Sequence, residues 1–168
     1  MGTVKDLYLE EGIEKMKDMA EDVRICMFCT SSDILPFTTR PMATSKVDED
    51  GTIWFLSAIE SEKNFEIQEN AKVQLIYSKP GDSKFMAVYG IASIQTNQAK
   101  IDELWNPLAK AWFTEGKEDP RISVIRVTPE TAYYWDTVHG KVVSLISIAT
   151  SAITGKSHDD GIEGQIKL

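Results

Sequence analysis

The chain has 168 residues, of which 42% are hydrophobic and 26% are charged, and its formal net charge is −8. This length and composition are typical of one globular domain and argue against disorder throughout. The acidic balance argues against a nucleic-acid-binding surface, because such surfaces are usually basic. The sequence lacks the roughly 20 consecutive apolar residues of a membrane span, and its charged start does not resemble a signal peptide. We therefore expect a cytoplasmic protein that binds neither nucleic acid nor membranes.

Hydrophobic periodicity and turn residues divide the chain into helices and strands. In chain order they predict a helix at 7–20, strands at 23–30, 36–47 and 52–58, a helix at 61–69, strands at 73–78 and 85–95, a helix at 97–105 with a further turn at 108–113, strands at 123–127 and 131–136, and a helix at 142–153. The first helix belongs to an N-terminal segment, 1–21, and the polar residues 156–168 are expected to form a loosely held C-terminal tail. All 168 residues are expected to form a single domain.

Four local signals refine these elements. Pro41 has no backbone N–H to donate, so the second strand is expected to be an edge strand or to contain a bulge at that point. The run Asp48-Glu-Asp-Gly51 predicts a hairpin turn. Gly90 within a long strand predicts a bulge or a close approach of another backbone. Gly155 is placed to cap the C-terminus of the last helix.

The connections between the strands indicate the fold class. Most are short enough for hairpins, which favours a mainly antiparallel sheet. Many short strands with a few peripheral helices are typical of a small barrel in the α+β or all-β class. We therefore predict a mainly β, α+β domain.

The two cysteines, Cys26 and Cys29, form a C-x-x-C pattern that invites a redox or a metal interpretation. The surrounding residues 23–30 predict a strand, on which side chains three residues apart point to opposite faces. A four-cysteine zinc site also needs a second cysteine pair. We interpret these residues as two buried thiols, one on each face, and we expect no metal site.

The middle of the chain carries an ordered set of motifs. They are Arg40-Pro-Met42, Gly51-Thr-Ile-Trp-Phe-Leu-Ser57, Ser61-Glu-Lys63, Leu104-Trp-Asn-Pro107, Trp112-Phe-Thr-Glu-Gly116, Asp119-Pro120 and Tyr134-Trp-Asp136. Taken together, from about Glu14 to Leu168, they resemble the general stress protein 26 branch of the pyridoxamine 5′-phosphate oxidase-like, flavin mononucleotide (FMN)-binding split-barrel family. The resemblance implies a six-stranded antiparallel split β-barrel with peripheral helices. It also implies a homodimer with two FMN molecules in clefts at the subunit interface.

The resemblance places the FMN phosphate on four side chains, Arg40, Ser57, Ser61 and Lys63. Physical chemistry supports this placement, because a helix N-terminus offers unpaired N–H groups and a partial positive charge to an anion. Arg40 and Lys63 would add two cations, and the serines would add hydroxyl groups. Each cation has a simpler interpretation as a solvated or ion-paired surface residue. Glu62 stands where the family has an arginine, and its charge would oppose the phosphate.

The isoalloxazine ring of a flavin needs flat apolar walls and backbone donors. The candidate residues on the second and third strands are Pro41, Met42, Phe55 and Leu56, with backbone contacts to 55–57 implied by the resemblance. Trp105 and Trp112 are implied to lie near the flavin of the partner subunit, and packing on the barrel is the alternative for this aromatic group. Trp54 fits either a flavin wall or packing in the core or the dimer interface.

The resulting hypothesis is a stress-related flavoprotein that acts as an FMN-dependent oxidoreductase. A non-catalytic flavin reservoir or sensor is one alternative, and a split-barrel dimer that binds no flavin, favoured by Glu62, is another. FAD remains open as the cofactor. True pyridoxamine 5′-phosphate oxidase activity is not expected, since residues after Trp135 show no equivalent of that enzyme's basic substrate-phosphate site. The sequence identifies neither catalytic residues nor the small-molecule electron donor.

Overall fold

Ten strands form one sheet, accompanied by three α-helices, in the parts of the chain that our computed structural model describes, residues 3–137 and 161–168. The helices are Leu9–Val23 (α1), Glu62–Glu69 (α2) and Gln98–Leu104 (α3). The strands are Thr3–Val4 (β1), Leu7–Tyr8 (β2), Ile25–Thr30 (β3), Thr38–Ala43 (β4), Lys46–Val47 (β5), Ile53–Ala58 (β6), Lys72–Lys79 (β7), Lys84–Gln95 (β8), Ile122–Thr137 (β9) and Gly161–Lys167 (β10). No helix among them is long and apolar enough to cross a membrane.

Six of the strands form an antiparallel series in the order β4–β3–β7–β8–β9–β6. This agrees with the antiparallel prediction. The short strands β1 and β2 pair in parallel with β10, so the complete sheet is mixed. Within the described residues, β4 and β6 do not pair with each other, and closure of the series into a barrel stays a prediction.

Strand β9 has two partners on one of its edges. Its first half pairs with β6, and its second half, from Thr131 to Thr137, pairs with β10. The opposite edge of β9 follows β8, with a register shift between Tyr89 and Gly90. A Cβ atom at Gly90 would lie 2.5 Å from the carbonyl oxygen of Thr128. The glycine is therefore required by a close backbone approach at a bulge, as predicted.

The two faces of β6 are buried in two different clusters. Ile53 and Phe55 point into the main core, where the ring of Phe55 packs edge-on against Phe28 with 5.1 Å between centroids. Trp54 points the other way, into a second cluster with α3 residues such as Ile101. This alternation was expected from the strand pattern, and it assigns the Trp54 side chain to packing.

Local turn signals are also confirmed. Asp48 and Gly51 close the predicted hairpin, with a 3.0 Å hydrogen bond from Gly51 N to Asp48 O. Gly51 has a φ of +85°, which glycine adopts at little cost. Strand β4 pairs only with β3 in the described part of the chain, so Pro41 lies on an edge strand as predicted. Cys26 and Cys29 are both buried free thiols.

Three predictions about the strands need correction. The extended segment at 36–47 consists of two strands, β4 and β5, separated at Thr44 and Ser45. The segments at 123–127 and 131–136 form one continuous strand, because the bulge at Gly90 accommodates Pro129. The expected loose tail is wrong for 161–167, which forms β10 and pairs with β9. The predicted helix at 142–153 and its Gly155 cap lie outside the described residues.

The pairing of β10 with the first strands of the chain can be tested at Gly164. A Cβ atom there would lie 2.0 Å from the carbonyl oxygen of Lys5, so Gly164→Ala should lower the free energy of unfolding by about 1–3 kcal/mol through overpacking. Urea unfolding measures this change. Gly81→Ala is the matched control, because nothing lies within 4 Å of the added methyl group. Equal stability of the two variants would contradict the pairing of β10.

Candidate functional site

Helix α2 begins directly after β6, and its N-terminus forms the centre of the candidate site. Ser61 occupies the N-cap position with extended backbone angles, as predicted, but its side chain makes no capping hydrogen bond. Its hydroxyl oxygen instead lies 3.2 Å from that of Ser57. The N–H groups of the first turn of a helix have no intrahelical acceptors, so this end of α2 retains the donors and the partial positive charge that suit an anion.

Arg40 forms a closed group with Thr30 and Glu66. Its guanidinium donates from Nη1 to Thr30 Oγ1 at 2.6 Å and from Nη2 to Glu66 Oε2 at 2.7 Å. The Thr30 hydroxyl donates to the same carboxylate oxygen at 2.5 Å. Arg40 stands opposite Phe28 in the β3–β4 ladder, and Phe28 points into the core. Residues that stand directly opposite each other in a ladder point to the same face of the sheet. The side chain of Arg40 therefore lies on the core side, where it reaches α2.

Lys63 is the second residue of α2 and is half-buried. Within the described residues it makes no hydrogen bond or ion pair. Burial, and then the charge of Arg40, lower the pKa of Lys63 below its ordinary value of 10.5, and Glu66 partly offsets this. An anion bound beside Lys63 would relieve the cost of burying its charge.

Glu66 is ionised at neutral pH. Burial raises the pKa of Glu66, but hydrogen bonds donated by Thr30, Arg40 and Thr38 outweigh that effect, and the pKa lies below its ordinary value of 4.5. A carboxyl group with a lowered pKa stabilises the fold above its unfolded pKa, and that contribution is lost as the pH falls through the folded value. The carboxylate therefore stabilises the fold at neutral pH and compensates the charge of Arg40.

A buried polar network anchors the other side of α2. Asn64 is fully buried, and its Oδ1 accepts a 2.9 Å hydrogen bond from the Ser57 hydroxyl. Its Nδ2 donates to Ser123 Oγ at 2.9 Å and to the carbonyl of Ala58 at 3.1 Å. The single proton of the Ser57 hydroxyl thus points to Asn64, and the Ser61 hydroxyl is left as the donor in the contact between the two serines. Asn64 therefore holds the start of α2 against β6 and β9.

Sequence reasoning missed Asn64, Thr30 and Glu66. The available signal for Asn64 was its position, because the third residue of a helix after a serine N-cap often bonds back to the cap. Here a short amide occupies that position and bonds across to β6 and β9. Thr30 and Glu66 carried no local signal, since each is a common residue type whose partner is distant in the sequence.

The predicted flavin-wall residues occupy different environments. Met42 and Phe55 have buried side chains in the main core, so only their backbone groups could reach a ligand. Leu56 is half-buried against the second cluster, as is Trp105. Pro41 is exposed on β4.

Trp112 is 81% exposed and belongs to neither apolar cluster. Its expected place near a partner's flavin stays a prediction. Burial of Trp105 against the second cluster agrees with the packing alternative for the aromatic group.

Two strands near the site keep an unpaired edge among the described residues. β4 pairs only with β3, and β6 pairs with β5 only at Ile53 and Trp54. The edge of Phe55–Ala58 opposite β9 therefore has no strand partner in the described part of the chain. Backbone N–H and C=O groups on such edges are suitable partners for the polar rim of a flat heterocycle.

The sheet has a partly apolar face opposite the main core, which we call the outer face. It comprises five exposed side chains, namely Ile25, Met27, Ile76, Phe85 and Trp135. Register places Met27 beside Ile76 and Phe85 beside Trp135, so the patch extends across neighbouring strands. A groove of about 230 Å³ adjoins it, lined by residues of β7 to β10, and includes neither Arg40 nor Lys63.

Comparison with known proteins gives three kinds of match. The family model described as pyridoxamine 5′-phosphate oxidase like matches residues 11–159. General stress protein 26 of Bacillus subtilis (strain 168) is 29% identical over 83 residues, which are 47% of this chain and 58% of that protein. Among solved structures, a protein assigned as general stress protein 26 from Jannaschia sp. CCS1 has a TM-score of 0.79 at 24% identity, covering 95% of this chain and 99% of that one.

A further solved structure carries a statement about a ligand. It is described as the general stress FMN/FAD binding protein of Xanthomonas citri, and it is 25% identical to this chain with a TM-score of 0.63. The match covers 74% of this chain and 87% of that structure.

Proposed function

Because the chain belongs to the pyridoxamine 5′-phosphate oxidase-like family, in its general stress protein 26 branch, we propose that it binds FMN at the N-terminus of α2 and acts as a flavin-dependent oxidoreductase. The observation that carries this proposal is Lys63. It is a half-buried cation without a hydrogen bond or ion pair in the described residues, at a helix N-terminus and beside Arg40. A phosphate group would supply the missing counter-charge.

The residues present fit a single phosphate group. Lys63 supplies a charge, and the first turn of α2 supplies N–H donors. Arg40 uses Nη1 and Nη2 for Thr30 and Glu66, but a guanidinium has five N–H donors, so further donors remain for an anion. Glu62 is exposed, and its carboxylate has room to point into solvent. FAD is a second candidate, since a relative is described as binding FMN or FAD.

The role of the protein in such a site is to bind and orient the cofactor. When bound, the flavin supplies hydride and electron transfer, which is chemistry of the cofactor itself. The unpaired edges of β4 and of Phe55–Ala58 would orient the ring through backbone groups. Pro41 and Leu56 are the predicted wall residues whose side chains are not in the main core. Ser57 and Ser61 would contribute through the network around Asn64.

Flavin binding is tested by titrating the purified protein with FMN and FAD and following flavin fluorescence and visible absorbance. Lys63→Ala should weaken FMN binding by about 1.5–3 kcal/mol, the value of a charged hydrogen bond, or roughly 10- to 150-fold in Kd. Lys72→Ala is the control, since Lys72 is an exposed lysine on β7. Unchanged affinity in Lys63→Ala would show that the phosphate binds elsewhere, and no binding of either flavin would overturn the proposal.

The oxidoreductase activity is tested on the FMN-loaded protein without oxygen. NADH or NADPH should bleach the visible absorbance of the bound flavin faster than that of free FMN at the same concentration, because the protein would orient the donor against the ring. Stopped-flow absorbance measures both rates. Equal rates with every donor tested would contradict catalysis and favour a flavin reservoir or sensor.

We also propose that the protein is a homodimer that associates through the outer face. The five outer-face side chains are between 38% and 59% exposed, and contiguous exposed apolar patches often mark interaction sites. An exposed apolar patch is suited to self-association, because a twofold axis brings identical patches together. The family resemblance, which implies a homodimer, supports a second copy as the partner.

The dimer is tested by sedimentation at micromolar concentration with FMN present. Ile76→Lys places a charge in the outer face and should produce a monomer, because an unpaired charge in an apolar interface is costly. Ile34→Lys is the matched control, since Ile34 is 64% exposed in the β3–β4 loop. A monomer in the unsubstituted protein with flavin bound would contradict the dimer.

A further inference from the structure

The positive charge of Arg40 is compensated before any ligand binds. Its guanidinium contacts Glu66 at 2.7 Å, and the Thr30 hydroxyl bridges the two residues. The side chains of Arg40 and Glu66 are only 21% and 14% exposed. Water therefore screens this pair less than it would screen an ion pair on the surface. A phosphate at the N-terminus of α2 would encounter Arg40 and Glu66 as one nearly neutral unit.

The charges near the proposed phosphate position therefore sum to a small value. Arg40 and Lys63 contribute two positive charges and Glu66 contributes one negative charge, which leaves a net charge of +1 from these three side chains. A phosphate monoester carries between −1.5 and −2 charges at pH 7. Glu66 lies one turn along α2 from Lys63, close enough for its charge to act on the same ligand.

We propose that Glu66 sets the affinity of this subsite for the phosphate group, by neutralising Arg40 and so limiting how tightly a phosphorylated flavin is held. This inference rests on the proposed flavin binding. In this role Glu66 is a positioning residue. It holds the Arg40 guanidinium directly and through Thr30, and its negative charge lowers the effective charge of Arg40. The arrangement favours reversible binding of the flavin over permanent retention.

A structural role alone would predict the opposite change in affinity. If Glu66 served only to keep Arg40 in place, removing its charge would release the guanidinium and weaken phosphate binding. If Glu66 limits affinity, the same substitution strengthens binding while it removes a stabilising ion pair from the fold. Affinity and stability should then change in opposite directions.

The experiment compares Kd values for FMN and riboflavin, measured by fluorescence quenching, in the unsubstituted protein and in Glu66→Gln. We expect FMN to bind on the order of tenfold more tightly to Glu66→Gln at low salt, because one repelling charge is removed. Riboflavin has no phosphate, so its Kd should stay unchanged. The gain for FMN should shrink as salt is added, since salt screens charge interactions.

Two further variants separate charge from packing. Glu69→Gln removes the same charge from the exposed last residue of α2 and should change the Kd for FMN less than twofold. Glu66→Ala removes both the charge and the acceptor oxygens. Tighter FMN binding in Glu66→Ala as well as in Glu66→Gln would assign the effect to charge.

Stability without flavin provides the second readout. Glu66→Gln should unfold at lower urea concentration than the unsubstituted protein at pH 7. The difference should diminish as the pH falls below 4.5 and through the lowered pKa of Glu66, because protonation then removes the same charge from both proteins.

The outcomes distinguish this inference from the proposed function. FMN binding that is equal or weaker in both Glu66 variants overturns the role of Glu66 and leaves flavin binding intact. A parallel gain for riboflavin also overturns it, since the effect would not involve the phosphate. Absence of FMN binding in the unsubstituted protein and in every variant overturns both proposals.

Discussion

The pairing of β9 is the constraint on which the rest of the structure depends. This strand has 16 residues and pairs with β8 on one edge, while β6 and β10 share the other. β6 pairs with the first part of that edge and β10 with the second. β6 is followed by α2, and β10 pairs with β1 and β2 near the start of the chain. The glycine bulge on β8 lets this long ladder pass Pro129, which has no N–H to contribute. The position of the candidate site follows from the direction that β9 imposes on β6.

Helix α2 is fastened to the sheet on two sides, which leaves Lys63 without a hydrogen bond or ion pair among the described residues. Asn64 binds to β6 and β9 through its buried amide. Glu66 binds to β3 and β4 through Thr30 and Arg40. An eight-residue helix is marginal in isolation, so these polar anchors determine its orientation. Lys63 directly precedes Asn64 and lies about one turn before Glu66. It is the half-buried charged residue of α2 that takes part in neither anchor.

Local chemistry explains which features could be predicted from the sequence. Gly51 and the Ser61 N-cap were predicted correctly, because each depends on backbone geometry within a few residues. Gly90 was predicted correctly because a glycine within a long strand signals a bulge or a close backbone approach. Arg40 and Lys63 were identified through family resemblance, and the charge of Arg40 lowers the pKa of Lys63 in the structure. Glu66 was missed because Arg40 lies 26 residues away in the sequence. Asn64 was missed because its bond to Ser123, 59 residues away, has no local signal beyond its position in the first turn of the helix. β10 was missed because a polar, glycine-containing segment has a weak strand signal, and its pairing with β9, β1 and β2 defines it. Exposure of Trp112 was equally unpredictable, since aromatic composition does not distinguish a core residue from a surface one.

The pairing of β1 and β2 with β10 has a consequence for how the chain reaches its native state. Thr3 stands beside Ile162, and Leu7 stands beside Ile166, so this edge joins the first and the last described strands. Contacts between residues so far apart in sequence form slowly, because a long loop must close before they contribute. During synthesis the central strands can pair while β10 is still being made. We therefore expect the edge that carries β1, β2 and the packing of α1 on β10 to assemble late, after the strands that position the candidate site.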